Sequence, residues 1–164
     1  MVKAISFVAA SGTGKTTLLE KIIAKLKERN YRVGALKHDA HDFEIDHPGK
    51  DSYRLSAAGA DTMLITSSRK IALVKKQKHI PEIEDLLNRY FYDVDIVLIE
   101  GFKRLRLPKI EVNRREINRE LLFLDDPTLI AVVTDQNLKL NIPIFHINDI
   151  DSITNFIEER FLRV

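Results

Sequence analysis

Short apolar runs alternate with amphipathic helical segments along most of this chain. The first run, residues 4–8, is followed by leucines and isoleucines at helical spacing over residues 15–29, and then by a second run at residues 31–36. A strand, a helix and another strand in close succession form a βαβ unit, which favours a parallel sheet. We therefore predict an α/β fold with a mostly parallel central sheet and helices on both faces.

The same alternation continues to the end of the chain. Residues 51–58 and 82–90 predict short helices, and residues 62–66 and 70–74 predict a strand pair around a polar turn. Buried strands are predicted at residues 96–99, 129–133 and 143–147, with a short one at 110–112 and a closing amphipathic helix at 149–163. Because no repeat or linker interrupts the pattern, we predict a single domain over residues 1–164.

Composition excludes only a few classes of protein and of metal site. The chain is 45% hydrophobic and 30% charged, which is ordinary for a globular protein, and a net charge of +2 gives no argument for nucleic acid. Cysteine is absent, which excludes disulfides and thiolate metal sites, and no apolar stretch approaches the ~20 residues of a membrane span. We expect a soluble, cytoplasmic protein that binds neither nucleic acid nor membrane.

The first predicted strand and helix are joined by a loop that ends in Lys-Thr. Its sequence, Ala9-Ala10-Ser11-Gly12-Thr13-Gly14-Lys15-Thr16, matches the phosphate-binding P-loop except that Ala9 replaces the first glycine. In that motif backbone amides surround the phosphates, the lysine contacts β and γ oxygens, and the hydroxyl binds Mg²⁺. We predict a P-loop NTPase-like domain in which Lys15 and Thr16 are catalytic. The residues predicted to bind the nucleotide phosphates are Ser11, Gly12, Thr13, Gly14, Lys15, Thr16 and Thr17.

Two acids flank the strand predicted at residues 96–99, namely Asp95 and Glu100. They are separated by roughly 16 Å of extended chain, so both cannot bind one ion. Ligands of open α/β sheets lie at the carboxyl ends of the strands, which favours Glu100. We predict that Thr16 and Glu100 hold Mg²⁺.

A polar loop over residues 37–50 leaves the carboxyl end of the second strand. We expect Lys37 and His38 to lie nearest the phosphates, and Asp39 to contact Mg²⁺ or a water. The loop also interleaves three histidines with three aspartates, which are His38, Asp39, His41, Asp42, Asp46 and His47. Such a set suits Zn²⁺ or Ni²⁺, so a nucleotide-dependent metal chaperone or adaptor remains an alternative.

The sequence predicts less about which residues contact the nucleotide base and about the role of its basic segment. Asp135 follows a strand at the edge where a base would lie, and its carboxylate could accept hydrogen bonds from guanine N1 and N2. The usual Asn-Lys-x-Asp signature is absent, so GTP is only weakly favoured over ATP.

Residues 102–119 are basic and fit a solvated surface, a docking patch for an anionic partner, or the phosphate-contacting lid of a small-metabolite kinase. The sequence offers no convincing general base or arginine finger, which predicts slow turnover.

Several stretches together resemble the molybdopterin-guanine dinucleotide biosynthesis protein B (MobB) family over nearly the whole chain. They are residues 10–19, Lys37-His38-Asp39, His47-Pro48-Gly49-Lys50-Asp51-Ser52-Tyr53, residues 57–60, residues 99–103 and residues 147–150. The resemblance implies a homodimeric GTP-binding protein with weak GTPase activity. It further implies that residues 12–17 cradle the GTP phosphates, that Glu100 serves Mg²⁺, and that the protein assists a guanylyltransferase partner that attaches GMP to molybdopterin.

Overall fold

The computed structural model describes residues 2–38, 43–117 and 120–163. In chain order its elements are β1 (Ala4–Ala9), α1 (Lys15–Glu28), β2 (Val33–Lys37), α2 (Asp51–Ala57), β3 (Thr62–Thr66), β4 (Ile71–Lys75), α3 (Ile83–Tyr90), β5 (Ile96–Glu100), β6 (Lys109–Asn113), β7 (Leu129–Thr134), β8 (Ile144–His146) and α4 (Ile150–Ile157), which a π-helical turn extends over Glu158–Leu162. The predicted strands and helices are therefore confirmed, with small shifts at their ends.

The contacts divide the chain into two compact units. The larger comprises Met1–His38 and Ile83–Val164, and the smaller comprises Asp39–Glu82. The larger unit contains the P-loop and both acids that flank the β5 region. That the whole chain works as one nucleotide-binding domain stays a prediction.

The larger unit is built on a six-stranded sheet in the order β2-β5-β1-β6-β7-β8. Every neighbouring pair in it is parallel, which confirms the predicted parallel sheet. Strand β1 lies between β5 and β6, with Phe7 opposite both Glu100 and Ile110. The loops that leave the carboxyl ends of these three strands consequently meet at one edge of the sheet.

Helices cover both faces of this sheet, as predicted. Strand β5 shows why, because its successive side chains point to opposite faces and those of Ile96 to Ile99 are all buried. Ile96 and Leu98 join α1 and α4 in one core, whereas Val97 and Ile99 join α3 in the other. None of the helices in the described ranges is long and apolar enough to cross a bilayer.

The smaller unit consists of α2 and the hairpin formed by β3 and β4. The two strands pair antiparallel from Thr62 opposite Lys75 to Thr66 opposite Ile71, which confirms the predicted hairpin. The Ser67 amide donates to the Lys70 carbonyl at 2.9 Å and closes the turn. Met63 and Val74, on one face of the hairpin, line a cleft together with residues of α2.

Strand β6 is more deeply buried than its sequence indicates. Lys109, Glu111 and Asn113 alternate with apolar residues along it, yet each is at most 1% exposed. Strands β1 and β7 lie on either side and the sheet is covered on both faces, so no position of β6 faces solvent. A solvated surface, one of the interpretations of residues 102–119, is therefore wrong for this part of the stretch.

The buried charge of Lys109 is neutralised locally. Its ammonium lies 2.8 Å from Asp126 Oδ2, donates to the Thr128 hydroxyl at 2.7 Å, and donates to the Leu105 carbonyl. These contacts supply an acceptor for each ammonium proton, which is the condition for burying a charge. Hydrogen bonds from Lys109 and Thr128 lower the pKa of Asp126 to about 2.

Glu111 is accommodated differently, because no cation pairs with it among the contacts of the described chain. Its two carboxylate oxygens accept the backbone amides of Leu122 and Phe123 at 2.7 and 3.1 Å. Burial raises the pKa of Glu111, and the two amides oppose that shift. The carboxylate thus fixes the chain that follows residue 120 against the sheet.

Replacing Asp126 by asparagine tests the buried pair. Because Asp126→Asn leaves the Lys109 charge buried without its counter-ion, we expect the free energy of unfolding to fall by about 3 kcal/mol at neutral pH. The folded-state pKa of about 2 lies below the ordinary 3.8, so the carboxylate stabilises the fold above that range. The difference between wild type and variant should therefore shrink as the pH falls from about 4 to about 2.

Urea denaturation at several pH values provides the measurement. Asp125→Asn removes an exposed carboxylate one residue away and serves as the matched control. It should change the unfolding free energy by less than about 0.5 kcal/mol. Equal losses in the two variants would contradict the ion-pair account.

Candidate functional site

The loop between β1 and α1 forms an anion cradle. Gly12 and Gly14 have φ values of 80° and 82°, a left-handed conformation that residues with a Cβ rarely adopt. Gly14 directly precedes α1, and its carbonyl accepts the Leu18 amide at 3.0 Å. The amides of the first helical turn have no acceptor within the helix and lie at the positive end of its dipole. This geometry fits a phosphate group.

Ala9 takes the first motif position without strain. It ends β1, is 3% exposed and lies opposite Val112 of β6. Among the described residues other than glycine, positive φ occurs only at Asn30 and Phe102. Ala9 therefore needs none of the freedom that glycine would give it.

Lys15, Thr16 and Glu100 converge at the end of β5. The Thr16 hydroxyl donates to Glu100 Oε1 at 3.0 Å, and the Lys15 ammonium lies 3.4 Å from the same oxygen. The Lys15 and Glu100 side chains are only 19% and 16% exposed, so their attraction is less screened than that of a surface pair. A hydroxyl and a carboxylate are oxygen ligands of the kind that Mg²⁺ prefers, so this pair of residues fits the ion.

Asp95, the other acid considered for the metal, lies at the opposite end of β5. One of its oxygens accepts the Arg32 amide at 2.7 Å and the other accepts the Arg32 guanidinium at 2.8 Å. These two hydrogen bonds lower the pKa of Asp95. Its contacts join the starts of β2 and β5 and serve the fold rather than the P-loop.

The chain turns sharply after Glu100, and this turn holds His38. Gly101 has a φ of 96°, and a Cβ there would lie 3.1 Å from the His38 carbonyl oxygen. The His38 amide donates to the Glu100 carbonyl at 3.0 Å, and the His38 ring lies 4.0 Å from the Phe102 ring between centroids. Lys37 is opposite Glu100 in the pairing of β2 with β5. Lys37 and His38 thus lie beside the backbone of Glu100.

Asp39, the third residue predicted to serve the metal, lies outside the described residues, as do His41 and Asp42. Across the described ranges, no group of three or more histidine, aspartate or glutamate side chains is placed to hold a metal ion. The role of Asp39 and the transition-metal site in this loop stay predictions.

Arg114 was missed as an individual site residue by sequence reasoning. Its Nε donates to the Thr13 carbonyl at 2.8 Å, and its guanidinium lies 3.5 to 3.9 Å from the position that a Cβ on Gly14 would take. The signal was available, because Arg114 lies two residues beyond the strand predicted at residues 110–112 and directly after the observed β6. The rule that selected Glu100 at the carboxyl end of a strand also selects Arg114.

Asp135 lies beyond the end of β7, where its exposed carboxylate accepts the Arg115 backbone amide at 2.9 Å. The strand ends themselves are joined by Asn113, whose side-chain oxygen accepts the Thr134 hydroxyl at 3.2 Å and the Gln136 side-chain amide at 2.6 Å. The turns after β6 and β7 are therefore held together at the edge that carries the P-loop. Direct contact of Asp135 with a guanine base stays a prediction.

A family profile and two related proteins from bacteria point to the same family. The sequence profile of the family described as "MobB: Molybdopterin guanine dinucleotide synthesis protein B" matches residues 4–135. The chain is 37% identical over 166 residues to the molybdopterin-guanine dinucleotide biosynthesis adapter protein of Escherichia coli, covering 97% of this chain and 93% of that protein. It is 36% identical over 149 residues to the protein of that name from Haemophilus influenzae, covering 90% of this chain and 83% of that one.

The fold of this chain is similar to that of a solved structure of Bacillus subtilis MobB. The TM-score is 0.77 at 28% sequence identity, and the match covers 99% of each chain. Together with the P-loop geometry and the profile match, these similarities assign the family. The chain belongs to the molybdopterin guanine dinucleotide synthesis protein B (MobB) family.

Proposed function

We propose that this protein binds GTP with Mg²⁺, hydrolyses it slowly, and acts in the cytoplasm as an accessory protein in molybdopterin-guanine dinucleotide formation. The observation that carries the proposal is the convergence of Lys15 and Thr16 on Glu100 beside the glycine cradle. Membership of the MobB family supports the pathway, since relatives are named molybdopterin-guanine dinucleotide biosynthesis adapter proteins.

Each residue of the site has a distinct task toward the triphosphate. The amides of residues 12–17 donate to phosphate oxygens, and the Lys15 ammonium neutralises charge on the β and γ phosphates. The Thr16 hydroxyl and the Glu100 carboxylate hold the magnesium side of the site. Bound Mg²⁺ supplies additional neutralisation of the charge that develops as the γ phosphate is transferred to water.

Slow hydrolysis follows from what the chain does not contribute. Its sequence offers neither a convincing general base nor a built-in arginine finger, so no dedicated group activates the water that attacks the γ phosphate. Unaided GTPases of this kind turn over at rates on the order of 10⁻³ per second. Such a rate suits a protein whose nucleotide state regulates association with a partner, here the guanylyltransferase that joins GMP to molybdopterin.

We further propose that the protein is a homodimer that pairs through its hairpin. On the hairpin face that carries Leu64, Ile71 and Leu73, these side chains are 52%, 69% and 39% exposed. A two-stranded hairpin is marginally stable alone, and an apolar face of this kind gains stability when it is covered. A second copy of the chain supplies a matching apolar face.

Lys15→Ala tests nucleotide binding. The variant loses a charge-assisted contact with the phosphates, so we expect GTP affinity to fall by about 10-fold to 100-fold in calorimetric titration. Lys21→Ala removes an exposed lysine from the same helix and should bind GTP as the wild type does. Unchanged affinity in Lys15→Ala would refute the assignment of the site.

Glu100→Gln tests the metal role. The amide oxygen can still accept from Thr16, but the negative charge that favours Mg²⁺ is lost. We expect GTP binding without Mg²⁺ to persist, while the gain in affinity and hydrolysis on adding Mg²⁺ falls at least tenfold. Asp95→Asn is the control, since it removes the other acid of this strand region. Loss of the Mg²⁺ dependence in Asp95→Asn and not in Glu100→Gln would reverse the assignment.

Ile71→Glu tests the hairpin dimer. A charge on a covered apolar face is costly to bury, so we expect the mass measured by light scattering to halve relative to the wild type. Ile80→Glu makes the same change at another exposed isoleucine, outside the two strands, and should leave the mass unchanged. A dimer that persists in Ile71→Glu, or a monomeric wild type, would contradict this proposal.

A further inference from the structure

We infer that Arg114 reads the base of the bound nucleotide and selects guanine over adenine. The inference rests on the proposed function, because it assigns a specificity residue to the same GTP site. It begins from a contact that the P-loop motif does not require, the hydrogen bond from Arg114 Nε to the Thr13 carbonyl.

The order of the strands indicates which end of the nucleotide Arg114 would meet. Strands β5 and β6 lie on opposite sides of β1, the strand that leads into the P-loop. Glu100, which marks the magnesium and γ-phosphate side, ends β5. Arg114 follows β6 on the other side, and Asp135 follows β7 one strand further. A nucleotide whose γ phosphate faces Glu100 therefore extends its nucleoside toward Arg114 and Asp135.

The guanidinium is held where it can act on a ligand. Its Nε is fixed on Thr13, and both Nε and Nη2 lie within 3.6 Å of the position a Gly14 Cβ would take, against the loop that holds the phosphates. Guanidinium carries five N–H donors in a rigid fork, so the Thr13 contact leaves the two Nη groups with donors for an acceptor pair. Arg114 is half-buried, which limits the competition from water.

Asp135 supplies the complementary acceptors beside it. The Arg115 amide, one residue along the chain from Arg114, donates to Asp135 Oδ1 at 2.9 Å and orients that carboxylate. The bonds of Asn113 to Thr134 and Gln136 tie the two turns together and keep the arginine and the aspartate at neighbouring positions. The edge thus carries a guanidinium on the turn after β6 and an oriented carboxylate on the neighbouring turn after β7.

This arrangement matches guanine and mismatches adenine. Guanine offers the acceptors N7 and O6, for which a bidentate arginine is the commonest specific contact, and it offers donors at N1 and N2. Adenine has an amino donor in place of O6, which would face the guanidinium donors directly. Arg114 would therefore take the N7/O6 edge while Asp135 accepts from N1 and N2.

The test compares nucleotides within each variant, so that any effect of Arg114 on the loop itself cancels. GTP, ATP and 7-deaza-GTP, in which carbon replaces N7, are titrated into wild type, Arg114→Ala, Arg114→Lys and Arg89→Ala. The wild type should prefer GTP to ATP and should bind 7-deaza-GTP more weakly than GTP. In Arg114→Ala the GTP preference should fall by about tenfold to a hundredfold, and the penalty for 7-deaza-GTP should disappear.

The two remaining variants separate charge from geometry. Arg114→Lys keeps the charge but lacks the fork, so its GTP preference should also fall, whereas Arg89→Ala removes an exposed arginine of α3 and should keep the wild-type preference. If Arg114→Ala weakens GTP and ATP equally, the residue supports the loop only and the inference is overturned while GTP binding stands. If the wild type binds no GTP, or binds it equally well without Lys15, the proposed function itself fails.

Discussion

The site depends on the parallel pairing of β1 with β5. This pairing puts Phe7 opposite Glu100, so the acid at the end of β5 lies beside the loop that begins at the end of β1. A one-residue slip in register would turn the Glu100 side chain to the other face of the sheet. The apolar side chains of β5, buried alternately in two cores, prevent that slip. Packing in the interior of the sheet thus determines how close the Glu100 carboxylate lies to the Lys15 ammonium at the edge of the sheet.

The same edge brings together parts of the chain that are far apart in sequence. The P-loop, the turn after Glu100, the start of the loop after β2 and the turns after β6 and β7 all leave carboxyl ends of neighbouring strands. Positive φ at Gly14 and Gly101 allows two of these turns to be tight. The result is an asymmetric edge, with a hydroxyl and the Glu100 carboxylate on the β5 side and a guanidinium with a carboxylate on the β6 and β7 side.

The sequence predicted what depends on local pattern. The P-loop, the buried run of β5 and the choice of Glu100 over Asp95 required only spacing and the rule that ligands lie at the carboxyl ends of strands. The sequence predicts β6 as a short strand but not as a buried one, because charged residues such as Lys109 and Glu111 are usually found in contact with solvent. Their partners, Asp126 and the amides after residue 121, are brought close only by the folded chain. The place of Arg114 at the carboxyl end of a strand follows from the same rule as Glu100, but its contact with the P-loop does not, since its acceptor lies 101 positions earlier.

A crystal structure with a non-hydrolysable GTP analogue and Mg²⁺ tests the central claim most directly. We expect the β and γ phosphates on the amides of residues 12–17, with Lys15 in contact with them and the metal beside Thr16 and Glu100. Nucleotide bound at another place, with this loop making no phosphate contact, would contradict it.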